Sequence, residues 1–295
     1  MAILQTSPSG RPGVTIERHL THPPEKVWHA ITTPEELAHW FPAAVTLPER
    51  PAAGGKITFT FTETGDTSEG EILAYQPPGL FEFSWNTDVI RIEVSAERTG
   101  SKLEFTHTFN RGEPEIALIA AGRHTTGWVA CLESLDAALD GRTPVLPTDW
   151  HARMLHYIEE WGLEYGEILK SEILNGGKEF RFRRDLVWPA PADVWQRLLE
   201  FAGDAEVLES RSPEVLEYTD HGRVRWEVTA DPLDGVRVEL RQTVPADLAD
   251  QLPDLMATRH EQLNALFAAS FDLALDPWSA ERVASTRKQY EASRG

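Results

Sequence analysis

One pattern constrains this chain more than any other, and it occurs twice. Residues 14–42, V-T-I-E-R-H-L-T-H-P-P-E-K-V-W-H-A-I-T-T-P-E-E-L-A-H-W-F-P, pass from an alternating segment through a proline pair into helical spacing. Residues 180–195, F-R-F-R-R-D-L-V-W-P-A-P-A-D-V-W, repeat the order: an arginine-bearing strand, two prolines, a Val-Trp helix start. In the first copy Val14, Ile16 and Leu20 share one side of a strand, and Thr15, Glu17 and His19 the other. Pro24 sits where a first helical turn tolerates a missing N–H, and Val27, Trp28 and Ile31 follow at helical spacing. Thr33, Pro34 and Glu36 predict a second short helix with a capping box, ended by Trp40-Phe41-Pro42. A unit of this size occurring twice in 295 residues implies domain duplication and not a solenoid.

Behind the first copy, strands are predicted at Lys56–Glu63, Gly70–Tyr75, Leu80–Trp85, Val89–Glu97 and Lys102–Phe109. Turn residues separate them at Gly65-Asp66, Pro77-Pro78-Gly79, Asn86-Thr87-Asp88 and Thr99-Gly100. Such a meander has one wet face and one that needs a cover. Gly122–Leu139 supplies it, with Trp128, Cys131, Leu132, Leu135 and Leu139 on one stripe and Gly141 as the C-terminal glycine. The fold class is therefore α+β, an antiparallel sheet curved around one long terminal helix.

By alternation Trp40, Phe59, Phe83, Trp85, Phe105 and Trp128 face the space between sheet and helix, as core or as the lining of a cavity. Arg18 and Arg184 point to the gripped face of their copies, where a guanidinium must find a partner or reach water. His107 points inward too, and His124 opens the terminal helix close to it; these two histidines without a carboxylate at fixed spacing do not make a metal site.

Asp149–Glu172 has helical period, weakened by Gly162 and Gly166, and Asn175-Gly176-Gly177 marks a boundary. Further on, Gly235–Val244 matches Gly100–Phe109 in strand phase, and Leu263, Leu266 and Ala269 match Leu132, Leu135 and Ala138. From Trp28 to Gly100 is 72 positions and from Trp195 to Gly235 only 40, so the second copy is reduced, with a narrow sheet. The open edge of that sheet is expected to lie against the first half, the 149–172 helix or another subunit. The division read from the chain is a disordered lead at 1–13, a complete domain at 14–142, a helical connector at 143–177, a reduced domain at 178–270 and a peripheral tail at 271–295 with a short helix from Ser279.

The net charge of −19 repels phosphate backbones and anionic lipid alike, so nucleic acid is not an expected partner. No apolar run reaches the roughly 20 residues of a membrane span, and the start M-A-I-L-Q-T-S-P-S-G lacks a secretory signal pattern, which together with the single Cys131 reads as cytoplasmic. On the apolar stripe Cys131 reads as an inert buried thiol. The sequence has no G-x-S-x-G, H-E-x-x-H, P-loop or dinucleotide-binding glycine pattern, which implies no cofactor and favours binding over catalysis.

The landmarks R-x-L-x-x-P-P-E-x-V-W, W-F-P at 40–42, G-G-K-x-x-F at 54–59, G-E-I at 70–72, F-x-W at 83–85, L-x-F-x-H at 103–107 and G-W-x-x-x-L-x-x-L at 127–135 fall in one order. This order resembles the bacterial relatives of the Hsp90 ATPase activator domain, within the START-like (SRPBCC, helix-grip) superfamily. The resemblance covers about residues 14–142; residues 178–270 resemble the superfamily only faintly. It implies a sheet gripping its terminal helix over an internal cavity, with Arg18, Trp40, Phe59, Phe83, Trp85, Phe105, His107, His124 and Trp128 as candidate ligand-binding residues. The function expected is non-enzymatic binding of a small hydrophobic or amphipathic molecule. An Hsp90-type co-chaperone or self-associating interaction module, and a cyclase-like enzyme, stand as alternatives from other classes.

Overall fold

Alternation in residues 14–20 becomes burial: Val14, Ile16 and Leu20 are shut off from water while His19 is exposed. The computed structural model describes residues 1–62, 64–169 and 176–292. The chain divides into two units, Met1–Tyr157 and Ile158–Gly295.

In the first unit the elements run β1 (Ala2–Thr6), β2 (Pro12–Leu20), α1 (Pro24–Thr32), α2 (Pro34–Leu37), β3 (Ala44–Thr46), β4 (Lys56–Thr60), β5 (Thr67–Gln76), β6 (Leu80–Trp85), β7 (Asp88–Glu97), β8 (Gly100–Thr108), α3 (Pro114–Ile119) and α4 (Ala121–Leu139). The eight strands form one sheet in the order β1-β2-β8-β7-β6-β5-β4-β3, all pairs antiparallel. Short connections give the meander its order, and β2 closes against the last strand, β8. The α4 stripe of Trp128, Leu132, Leu135 and Leu139 is buried in the same core as Phe59, Phe83 and Phe105. Gly141, at φ +69°, ends α4 as its sequence position predicts: its N–H and that of Arg142 bond the carbonyls of Ala138 and Ala137.

Two expectations are corrected in this unit. The N-terminal residues are not a disordered lead: β1 pairs with β2 from Ala2↔Ile16 to Thr6↔Pro12, because the outer edge of β2 offers unpaired backbone groups that the leading residues fill. Nor is there a capping box on α2. Thr33 makes no side-chain cap bond; its hydroxyl is 2.9 Å from Nδ1 of His29, one turn back on α1, which competes for it.

α5 (Trp150–Glu160) spans the division between the units. The predicted helix over 149–172 stops here, because Gly162 adopts φ +64°, a conformation that ends helices. Residues 167–169 pair with the next strand, and the remainder of that prediction, 170–172, lies outside the described residues, as do Glu63 and Asn175.

The second unit contains β9 (Glu167–Leu169), β10 (Lys178–Val187), α6 (Pro191–Ala202), β11 (Val207–Arg211), β12 (Val215–Thr219), β13 (Arg223–Asp231), β14 (Gly235–Val244), a 3-10 turn (Ala246–Gln251), α7 (Leu252–Ala269) and α8 (Ala280–Ala292). Its six strands are ordered β11-β12-β13-β14-β10-β9. The register carries the duplication: Arg18 faces Leu103 and Arg184 faces Val238, each partner three residues beyond the glycine that opens the last strand. Two antiparallel sheets, each with a long helix after its last strand, make a duplicated helix-grip with a narrower second copy.

The tail is not peripheral. α8 packs along α7, buries Tyr290 and Thr286, and ties Arg282 and Thr286 to the buried Glu261. With the sheet on one side and α8 on another, α7 is buried nearly all round, so it lacks the clear polar stripe of a surface helix.

Candidate functional site

The aromatic side chains expected between sheet and helix do converge, and they pack ring on ring. Phe59 stacks on Trp85 at 4.7 Å and Phe105 meets Trp128 at 4.4 Å between centroids. Phe41 joins these pairs, at 5.9 Å from Phe59, 5.4 Å from Trp85 and 5.5 Å from Trp128. Phe83 leans on both Phe59 and Phe81. Offset and tilted contacts of this kind add about 0.5–1.5 kcal/mol per pair beyond simple burial. Trp85, partly exposed, bonds Ser68 Oγ through its indole N–H at 2.9 Å.

A polar chain crosses one end of this cluster. The Trp128 indole donates to His107 Nδ1 (2.9 Å), and His107 Nε2 lies 2.9 Å from Asp88 Oδ2. An indole N–H can only donate, so in the neutral ring the His107 proton resides on Nε2 and is given to Asp88. The other Asp88 oxygen accepts the amides of Asn110 and Arg111. Burial pushes the Asp88 carboxyl up, but the hydrogen bond from His107, with those two amides, outweighs it and holds the group below the usual carboxylate range. His124 stands edge-on to His107 at 5.1 Å, against Phe109; burial first, then the charge of Arg123, push it well below the usual histidine range.

Arg18 reaches back to α4, where Nη2 lies 3.4 Å from the Val129 carbonyl. Cys131 is pushed up to about 12 by burial, which keeps it a thiol. Among the described residues no group of three His, Cys, Asp or Glu side chains is placed to hold a metal ion, and no helix is long and apolar enough to cross a membrane.

Open space lies at the C-terminal end of α4. A groove of about 410 Å³ runs between α1, α2 and the last turns of α4, floored by Ala30, Trp40, Leu135 and Ala138. Trp40 is fixed there by a bond from Nε1 to the Ala30 carbonyl (3.0 Å). The rim is charged, with Glu25, Glu36 and Lys26. Lys26 Nζ donates to the Leu139 carbonyl at 2.6 Å, at the end of α4 where free carbonyls and the helix dipole attract a cation.

Residues 21–140 match the family model described as Activator of Hsp90 ATPase homolog 1-like protein. They form an AHSA1-like domain. Among solved structures, protein MLL2253 from Mesorhizobium loti is similar at 26% identity, over 44% of this chain and 97% of its own, with a TM-score of 0.38. The conserved protein of unknown function EF2215 from Enterococcus faecalis is 19% identical over 55% of this chain and 90% of its own, with a TM-score of 0.44. An AHSA1-like protein from Aeromonas hydrophila is 17% identical over 44% and 92%, with a TM-score of 0.36. No curated protein matches the chain.

Within the AHSA1-like domain, then, Phe59, Phe83, Trp85, Phe105 and Trp128 share one packed cluster, and His107 and His124 stand together at its end. Arg18 contacts the backbone of α4, and Trp40 alone of the nine lines the outer groove. Two participants escaped the sequence reading. Phe41 carried a signal in the W-F-P motif; Asp88, placed in a turn, carried none that distinguished it from an ordinary turn residue.

Proposed function

We propose that the AHSA1-like domain binds a small amphipathic molecule, without transforming it, in the groove between α1, α2 and α4. The observation that carries this reading is the groove itself: about 410 Å³, an apolar floor including Trp40, and a charged rim, which is the make-up of a small-molecule site. The titratable groups around the aromatic cluster favour binding over turnover. His107 is committed on both ring nitrogens, and Cys131 is held as a thiol. The aromatic cluster beneath serves as a rigid support for Trp40, which meets Phe41 edge-on at 5.5 Å.

The test is a thermal-shift screen of the full chain against lipids, polyketides and aromatic metabolites. A ligand at a hundred times its Kd stabilises by about 2.7 kcal/mol, a clear rise in Tm. Ala138→Trp, which fills a partly exposed position of the groove floor, is expected to abolish the shift while the variant still folds. A shift that survives Ala138→Trp would move the site elsewhere, and silence across the screen would end the reading. The family description favours a protein-directed role as the second reading. Stimulated ATP hydrolysis by a bacterial Hsp90, at stoichiometric amounts of this chain, would put that role first.

A further inference from the structure

The second unit carries a crevice of about 400 Å³ at the place corresponding to the first unit's groove. Leu135 and Ala138 line the groove on α4; Leu266 and Ala269, their counterparts in the repeat, line the crevice on α7. α6 walls it as α1 walls the first. Where the first unit supplies Trp40 from the segment after α1, the second supplies Trp278 from the loop after α7, set edge-on to Phe201 at 6.1 Å. Two unrelated segments thus bring a tryptophan to the same end of the gripped helix.

The first unit shows what that end attracts, since Lys26 places its ammonium on the Leu139 carbonyl. Aligned on the Val-Trp helix starts, the residue corresponding to Lys26 in the second unit is Asp193, so no lysine serves the end of α7 from that position. Among the described residues the one cation on the crevice rim, Arg197, is paired with Glu200 at 3.1 Å. Asp276 makes no ion pair among the described residues; its Oδ1 accepts the Trp278 amide at 2.9 Å and so holds the turn that presents the indole. Trp278 is 52% exposed, leaving its ring open to the crevice and to solvent. A helix C-terminus, a carboxylate without an ion-pair partner and an exposed indole each attract positive charge, and the apolar floor takes a hydrocarbon body.

We propose that the crevice between α6, the end of α7 and the 273–278 loop binds a small organic ammonium ion with an apolar chain. This site lies in the other unit from the AHSA1-like groove, and the proposal stands whether or not the groove binds its own ligand. The test uses the full chain with its tryptophans labelled with nitrogen-15, the Trp278 indole resonance being assigned with Trp278→Phe. Hexylammonium, hexanoate and hexanol are titrated in turn. Hexylammonium is expected to move the Trp278 resonance saturably and more weakly as salt rises, with hexanoate silent at equal concentration. Asp276→Asn should weaken the apparent affinity about threefold, the scale of an exposed ion pair, and Ala269→Trp should abolish it. Hexanoate or hexanol matching hexylammonium, or movement of the Trp40 resonance in place of Trp278, would overturn the proposal. If Ala269→Trp does not fold, Asp276→Asn at its exposed position decides, and an unchanged affinity there counts against the site.

Discussion

His107 has a counterpart that accounts for its placement. Counting from the glycines that open the last strands, His107 corresponds to Gln242; counting from the matched leucines, Trp128 corresponds to Arg259. In the second unit Arg259 donates to Gln242 Oε1 at 2.9 Å and also bonds the turn residue Asp220, as His107 joins Trp128 to Asp88, the strand residue that follows the β6–β7 turn. Both units thus tie helix, last strand and turn together with a different trio of side chains. A glutamine at position 107 has the needed acceptor and donor, whereas leucine leaves the Trp128 indole without its acceptor and the Oδ2 oxygen of Asp88 without its donor. We expect His107→Gln to cost about 1 kcal/mol and His107→Leu about 2–3 kcal/mol in urea denaturation, the larger value reflecting orphaned polar groups. Equal losses would mean that the imidazole does more than span the gap. Alternation in Leu103–Phe109 disclosed that His107 points inward; its partners belong to segments about 20 residues away on either side, and no local pattern names them.

At the scale of elements, the seam between α7 and α8 depends on a neutral histidine. The Tyr290 hydroxyl accepts the Gly166 amide at 3.2 Å, so its own proton is directed to His260 Nδ1 at 2.9 Å. Burial, then the charges of Arg184 and Arg282, push His260 down to about 3. The unfolded chain takes up a proton near pH 6.5 and the folded one does not, so this contribution is whole above that pH and is lost as pH falls toward 3. We expect urea midpoints to drop between pH 7 and pH 4, with a visibly smaller drop in His260→Gln. A variant as acid-sensitive as the parent would show that other groups set the slope. Ser279 before a helix was readable in the sequence, but burial of α8 was not, because its apolar content is low and its seam is built from Glu261, Arg282, Thr286 and Tyr290.

At the scale of the molecule, each sheet has its own core. Trp226 is fully buried in the second, where its indole N–H lies 3.3 Å from the Tyr218 hydroxyl and its ring meets Phe201. Trp85 in the first is partly exposed at the edge of the aromatic cluster. Trp226→Ala should therefore cost about 3–5 kcal/mol, the range for emptying a buried tryptophan site, and Trp85→Ala clearly less. Calorimetry of both variants checks the order, and the reverse order would place the better-packed core in the first unit.

The sequence by itself determined the fold class, the duplication, most strand limits in the first unit, the reach of α4 and the inward set of aromatic residues. Each of these follows from rules that act over a few residues: two-residue alternation, three- and four-residue helical spacing, proline and glycine at turns. Tertiary structure alone decided that residues 2–6 pair with β2 and that residues 167–169 leave the predicted helix to extend the second sheet. It also decided that Phe41 packs among the aromatic rings, and that open space lies at the ends of α4 and α7. A free strand edge, the filling of a core and a crevice between two helices depend on which distant segments meet, and local periodicity does not encode those meetings.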